Sequence, residues 1–471
     1  MVIGAAVAVL VAFGLVLTLY FVLWNAAQIA MSPVSAIFLW RHQRRYTERA
    51  RALVHRLAAP PLVSVIVPAY NEELTIVESV RALLALEYEA REIVVVNDGS
   101  SDGTLSAMRE AFQLVPAPLA YVRPLRTETV HGVYRSISEP ALVVVDKDNG
   151  GCKADAANAG INAASGVLVL IIDADTVLEP EALSRAVIPF IDDPATVAVG
   201  ANVAIVNGCR IEGGRIAEVA LPASWLARFQ IIEYMRAFLL FRLTCASLNA
   251  VVLISGAFGL FRRDAVIAVG GYDRTAIGED MDLTVRLQQH FRARGEPIRI
   301  GFDPNPLGWT QAPEDRRSLR AQRCRWRRGL LQVLWRHRRV IGNPRFGIVA
   351  LAALPYVLVF EGLGPLLEVG GYGTTIAAAA FGLLNWEYVG ALIVVSVMFG
   401  TAATLMAVLL SDIATARYMR GRDLALLFAT VLLENCGYRQ MNSWWGCVGT
   451  MQALSGRGGA WGVMKRRAFD A

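Results

Sequence analysis

The stretch "LIIDADTVLEP", residues 170 to 180, sets two carboxylates one residue apart at the end of an apolar run. In an extended chain residues i and i+2 face the same way, so Asp173 and Asp175 point to one side while Ala174 turns back. Unpaired carboxylates at the edge of a buried strand are costly. A hard divalent ion relieves that cost: Mg²⁺ or Mn²⁺ takes one or two protein oxygens and completes its shell with phosphate oxygens of a bound nucleotide. In isolation the same D-x-D is a polar turn, so its meaning rests on what else converges on it.

Several other stretches are candidates for that company. "VPAYNEE" (67 to 73) and "VVVNDGSSDGT" (94 to 104) end in an amide, carboxylates and small turn residues. Such groups accept hydrogen bonds from a base or ribose and let backbone approach a ligand; the second is equally a turn with helix-cap residues. "DKDNGGCKADAANAG" (146 to 160) supplies Lys153 behind two glycines, suited to a phosphate or to a plain glycine loop before a helix. "IGEDMDLTVRL" (277 to 287) starts an amphipathic helix with Glu279 and Asp280. A carboxylate there serves as a general base or simply as an acidic first turn favoured by the helix dipole. "QRCRWRRG" (322 to 329) puts Gln322, Arg325 and Trp326 at i, i+3 and i+4, one helical face. A cation and an indole there can hold a departing pyrophosphate and an incoming ring. The many neighbouring arginines also fit a basic helix lying in a membrane interface.

The elements that must position these residues are legible. From about 62 to 310, short apolar runs ("LVSVIVP", "EIVVVND", "ALVVVD", "VLVLIID") alternate with amphipathic stretches. Continuous apolar runs of that length predict strands buried on both faces of a largely parallel sheet, hence a doubly wound α/β domain. Ligands of such sheets bind outside the carboxyl ends of the strands, where these runs place their polar residues.

Around that domain the chain changes character. It has 471 residues, 55% of them hydrophobic, with a mean hydropathy of +0.43, too apolar for a purely soluble protein. Residues 2 to 24 carry no charged side chain and are long enough to cross a bilayer core. No basic stretch precedes them, so a retained anchor is expected rather than a cleaved signal peptide. Arg41, Arg44, Arg45, Arg49, Arg51 and Arg56 follow, which puts the next domain in the cytosol. Apolar character returns at 346 to 411 and at 424 to 450. Hydropathy gives three crossings in the first block, and a further span in the second returns the "KRR" at 465 to 467 to the cytosol, for five spans in total. Two crossings in the first block, which keep Arg417, Arg420 and Arg422 inside, give the alternative of four. "LPASWLARFQIIEYMRAFLLFRL" (221 to 243) and 316 to 340 read as helices in the membrane interface. The net charge is +6, but the arginines cluster beside apolar spans, which points to anionic lipid rather than nucleic acid. Six cysteines without a C-x-x-C pair argue against a zinc site or a disulfide framework.

The ordered set "VPAYNEE", "NDGSSDGT", "DKDNGG-KADAAN", "DAD", "GED" and "QRCRW" resembles the family 2 glycosyltransferases, specifically the processive membrane synthases of chitin, hyaluronan, cellulose and poly-N-acetylglucosamine. It covers roughly residues 62 to 340. Two positions depart from the pattern: Cys152 precedes Lys153, and "GED" stands where the family has "TED". The resemblance implies a cytosolic GT-A-like domain (62–315, with an interfacial helix at 221–243) inserted between an N-terminal transmembrane helix (1–40) with its basic linker (41–61) and a C-terminal membrane bundle. That bundle would comprise an interfacial helix carrying "QRCRW" (316–345), a translocation region (346–450) and a cytosolic tail (451–471).

The same resemblance implies an inverting, metal-dependent polymerisation of a β-linked glycan from a UDP-sugar, with transfer of one sugar to a lipid carrier as the alternative. UDP-GlcNAc is favoured as donor and UDP-glucose stays open. By similarity Tyr70, Glu72 and Asp98 contact uracil and ribose, Lys153 and Asp173 the nucleotide sugar, and Asp175 the Mg²⁺ or Mn²⁺ ion. Asp280, beside Glu279, is the base, and Gln322, Arg325 and Trp326 close over diphosphate and acceptor. "SGAFGLFRR" (255 to 263) resembles the acceptor-site segment, and Trp461 and Arg466 in "AWGVMKR" a gating segment. Glu361 and Glu368, ionisable groups in apolar surroundings, mark a polar path for the growing glycan. Trp444 and Trp445 are sugar platforms on that path or interfacial anchors.

Overall fold

The computed structural model describes residues 2–46, 59–117, 123–415 and 421–456. In chain order the strands are β1 (Val63–Ala69), β2 (Arg91–Asp98), β3 (Leu114–Pro116), β4 (Val130–Ser136), β5 (Leu142–Lys147), β6 (Leu168–Ile171), β7 (Val177–Leu178), β8 (Thr196–Ile205), the hairpin β9 (Arg210–Glu212) and β10 (Arg215–Glu218), β11 (Gly259–Arg262) and β12 (Arg299–Thr310). All but the hairpin form one sheet in the order β3-β4-β5-β2-β1-β6-β11-β8-β12-β7. The four apolar runs of the sequence become β1, β2, β5 and β6, mutually parallel and nearly free of solvent.

Their β-branched side chains alternate between two packed layers, as the period of two demands. Val63, Val65 and Val67 join one core and Ile66 the other. The chain leaves β1 for β2 on one side and later returns with β6 on the other. That reversal opens a crevice at the carboxyl ends of these strands, the expected place for a ligand. Beyond β6 the sheet is mixed, with β11 antiparallel to β6 and β8.

Among the described residues three helices are long and apolar enough to cross a bilayer: Val11–Arg44, Val349–Ala380 and Trp386–Ala414. Five were expected, and the difference has two sources. The block from 346 to 411 folds as two long helices instead of three. The apolar stretch near 424 to 450 is broken into Gly421–Leu433 and Arg439–Leu454 by non-helical backbone at Cys436 and Gly437. Pieces of 13 and 16 residues are short of the roughly 20 that a helical span requires.

The 221 to 243 region forms the helix Trp225–Arg236, then a π-helical turn Ala237–Arg242 and the short helix Leu243–Ser247. Its Ile231, Ile232, Leu239 and Leu240 belong to the same core as Val203 of β8, Leu39 of the N-terminal helix and Ala407 of the third apolar helix. Sheet and apolar helices therefore share one continuous core. The second region read as interfacial is the helix Arg316–Arg336, capped by Asp315, which accepts from the Ser318 amide. Its arginines do not all face outward: Arg327 is buried, donating Nε to Thr450 Oγ1 at 2.9 Å and both terminal nitrogens to the carbonyls of Glu361 and Gly362.

Candidate active site

At the carboxyl ends of β1 and β2 the two polar loops are stitched into one rim. The Asn71 amide donates to Ser100 Oγ (3.0 Å), the Ser101 amide to Asn71 Oδ1 (2.8 Å), and the Gly103 amide to the Glu73 carboxylate (3.0 Å). Asn71 takes a left-handed backbone, φ 57°, which asparagine tolerates better than most residues. Tyr70 is half-exposed on this rim. Glu72 is buried, accepts from Thr75 Oγ1 at 3.0 Å, and offers its carbonyl to the start of the next helix. It shapes the loop.

Asp98 sits directly opposite Lys147 in the β2–β5 register. Lys147, 1% exposed, donates to Asp98 and forms a 2.6 Å ion pair with Asp155. The Gly150 amide adds a 3.1 Å hydrogen bond to Asp98. A buried lysine is tolerated only when its charge is matched, and this one clamps the glycine loop onto β2.

Behind that loop Lys153 begins a helix (Lys153–Ala163) and donates to Asp173 Oδ1 at 2.5 Å and to the Gly256 carbonyl at 2.9 Å. The Gly256 amide donates to Asp280 Oδ2 at 2.8 Å. A Cβ at position 256 would lie 2.9 Å from that carboxylate and 3.2 Å from the Lys153 ammonium, so only glycine lets the two approach. Asp173, Lys153 and Asp280 are thus one cluster, and Asp175 lies within electrostatic reach of its Asp173 and Lys153. Burial and the Asp173 charge push the Asp175 carboxyl up to about 7.

Burial also pushes Glu279 and Asp280 up; Lys153 and Arg325 oppose the shift at both, and the Gly256 amide opposes it at Asp280. The two carboxylates open the helix Glu279–Arg294. That helix meets Arg316–Arg336 at a glycine contact: a Cβ on Gly329 would lie 2.9 Å from the Gly278 nitrogen. The contact brings Arg325 to the acidic pair. Gln322 is buried and its Oε1 has no hydrogen-bond partner among the described residues, while Trp326 is partly exposed beneath the Arg323 guanidinium, 4.7 Å from its ring centroid.

Sequence reasoning passed over three contributors. Lys147 was visible as a charge continuing the apolar face of Val143 and Val145, a position that demands a partner. Gly256 lies in "SGAFGLFRR", where nothing in the sequence singles it out. Arg242 gave no local signal: it ends the π-helical turn, its Nη1 is buried without a hydrogen-bond partner among the described residues, and burial holds it down to about 10 while Glu361 and Asp280 pull the other way. Trp445 is buried against Leu319 and Cys324, which makes it a packing residue, whereas Trp444 is exposed. Glu368 accepts from Arg439 at 2.7 Å and from Ser443 at 2.5 Å. Trp461 and Arg466 lie outside the described residues.

Among the described residues no three metal-ligating side chains cluster. The available donor set is Asp175 with Asp173, two carboxylates beside an open crevice. It fits a divalent ion whose remaining ligands are phosphate oxygens.

A mixed sheet with acidic residues at its switch point, Lys153 paired to one of them and a basic helix beside them is an arrangement of the GT-A type. Residues 64–270 match the profile described as Glycosyl transferase family 2, and residues 168–432 that of Glycosyl transferase family group 2. The second match spans more than half of the chain, which belongs to the family 2 glycosyltransferases. It is 30% identical over 308 residues to the poly-beta-1,6-N-acetyl-D-glucosamine synthase of Staphylococcus aureus (strain COL), covering 65% of this chain and 62% of that one. The synthase of that name from Staphylococcus epidermidis is 29% identical over 274 residues, 58% of this chain and 56% of its own. The chain therefore spans less than two thirds of these relatives' length. Among solved structures, a mannosyltransferase from Pyrobaculum calidifontis, in complex with GDP-Man and Mn²⁺, superposes with a TM-score of 0.54 at 19% identity, covering 92% of this chain and 99% of that one. That likeness concerns the fold.

Proposed function

We propose that this chain is a processive, inverting synthase that polymerises a β-linked polysaccharide from a UDP-sugar, with UDP-GlcNAc the favoured donor, on the cytosolic side of a membrane it crosses several times. The observation that carries the reading is the Asp173–Lys153–Gly256–Asp280 cluster with Arg325 alongside. Similarity to the staphylococcal poly-N-acetylglucosamine synthases supports the choice of donor and product.

The donor's uracil and ribose lie on the rim of Tyr70 and Asp98, and Lys153 neutralises charge on the nucleotide sugar. Asp175, with Asp173, would hold Mg²⁺ or Mn²⁺, which supplies charge neutralisation to the departing diphosphate. Arg325 adds a fixed positive charge on the same side. Asp280 takes the proton of the acceptor hydroxyl as its oxygen forms a bond to C1. The C1–O bond to UDP breaks on the opposite face, inverting the anomeric centre. Burial raises the proton affinity of Asp280, which suits a base, while Lys153 and the Gly256 amide keep the carboxylate form accessible. Gln322 Oε1 and Arg242 Nη1, buried and without hydrogen-bond partners among the described residues, would accept from and donate to hydroxyls of the acceptor sugar. Glu361, within electrostatic reach of Arg242 and Arg327, marks the start of the proposed path for the growing glycan.

Asp280→Asn is expected to abolish sugar transfer and leave UDP binding nearly intact. Wild-type turnover in that variant would remove Asp280 as the base. Product length on a gel from membranes supplied with each UDP-sugar separates polymerisation from single transfer, and product confined to the donor side of sealed vesicles would exclude export.

A further inference from the structure

A second cavity, of about 620 Å³, lies at the far end of the Glu279–Arg294 helix. It is lined by Gln289, His290, Arg339, Asn343 and Phe346, among others, with no Asp or Glu in its wall. At 1.5 Å of rise per residue, its Ala293 edge is roughly 20 Å along the helix from Asp280, well outside the catalytic cluster.

The charges here are not equivalent. Arg286 is committed: it pairs with Asp282 at 2.7 Å and donates to the carbonyls of Val269 and Gly271. Arg345 caps the negative carbonyl end of the helix through Ala293, at 2.8 Å. Arg339 is exposed and makes no hydrogen bond or ion pair among the described residues. A guanidinium without a counter-charge, beside a cavity free of carboxylates, selects an anion.

The surroundings say which kind. Phe346 stands three residues before Val349, where an apolar helix long enough to span a bilayer begins. Ile348 and Leu351, at its first turn, are exposed. Trp335, 69% exposed, carries the Arg338 guanidinium 4.6 Å from its ring centroid, a pairing suited to the depth of lipid headgroups. The anion site thus opens onto an apolar surface that continues into the hydrocarbon.

We propose that this cavity binds an anionic phospholipid from the leaflet facing the catalytic domain, with its phosphate against Arg339 and its acyl chains along Ile348 and Leu351. The inference is independent of which sugar the enzyme uses, since its readout is retained lipid. The full chain would be exchanged into nanodiscs of phosphatidylcholine with or without phosphatidylglycerol, and bound lipid counted by native mass spectrometry. Arg339→Glu, with Arg339→Ala as the milder variant, is expected to lower retained phosphatidylglycerol about tenfold, the scale of one lost charge-assisted contact. Arg339→Lys should restore part of it, and Arg317→Glu, on an exposed residue at the other end of the arginine-rich helix, should change nothing. Equal retention by wild type and both Arg339 variants would overturn the proposal. Displacement of phosphatidylglycerol by millimolar inorganic phosphate would overturn it too, by assigning the cavity to a soluble anion.

Discussion

Lys147 shows how much of the site depends on a single buried charge. Its ammonium lies between Asp98 and Asp155, and Asp155 also pairs with Arg274 at 2.8 Å. Lys147→Met would leave Asp98 and Asp155 in a solvent-free pocket without their central cation. Breaking a buried pair in this way costs about 3–5 kcal/mol, so a clearly lower thermal midpoint is expected in detergent, together with a weakened KM for donor. An unchanged midpoint would show that Asp98 is solvated some other way. The carboxylates, the glycine loop and Lys153 were legible in the sequence because strand ends advertise themselves as polar residues after apolar runs. Lys147 and Gly256 were not read, since their roles depend on cross-strand register and on a backbone contact over a hundred residues apart.

The elements explain how a basic helix beside the apolar ones comes to face the candidate site. Pro365 has no N–H to return to the Glu361 carbonyl, so the helix loosens into a π-helical turn at Val357–Leu363 and Arg327 supplies the missing donor. Gly446 and Gly449 allow the last helix to press against Pro365 and Arg327, where a Cβ would come within 2.7 Å and 2.8 Å respectively. On the opposite side the same basic helix touches Gly278 through Gly329. Gly329→Ala would force the two helices apart at the close approach nearest Arg325, Glu279 and Asp280. A displacement of that kind can lower turnover by up to about a hundredfold, so kcat should fall while the Kd for UDP stays close to wild type. If kcat is unchanged, Arg325 does not act through this contact. The sequence disclosed a basic amphipathic helix with one chemical face. It did not disclose that Arg327 binds backbone carbonyls, because hydropathy cannot see a distant proline freeing a carbonyl. The expected spans outnumber the long apolar helices among the described residues for a related reason: the break at Cys436 and Gly437 lies inside an apolar stretch that hydropathy reads as continuous.

At the scale of the molecule, the apolar helices and the sheet behave as one body. The N-terminal helix ends against the sheet, with Leu39 inside the sheet's own core and Gln43 donating to the Ile413 carbonyl at 2.7 Å. Asp303 of β12 is the polar fastening of that junction, paired with Arg185 at 3.1 Å and with His42 at 3.5 Å. Burial alone would raise its pKa, but His42, Arg185 and a hydrogen bond from Asn305 outweigh it and hold the carboxyl well below the ordinary carboxylate range. A group depressed in the folded state stabilises above its unfolded pKa, near 3.9, and loses that contribution as pH falls through the folded value. Asp303→Asn is therefore expected to cost about 3–5 kcal/mol at neutral pH, seen as a lower unfolding midpoint for the whole chain in one cooperative transition. The difference between wild type and variant should hold from pH 7 to about 5 and narrow only below about 4. Two separate transitions in the variant would mean that the sheet and the apolar helices unfold independently, and a difference that does not change with pH would mean that Asp303 holds the junction by shape and not by charge.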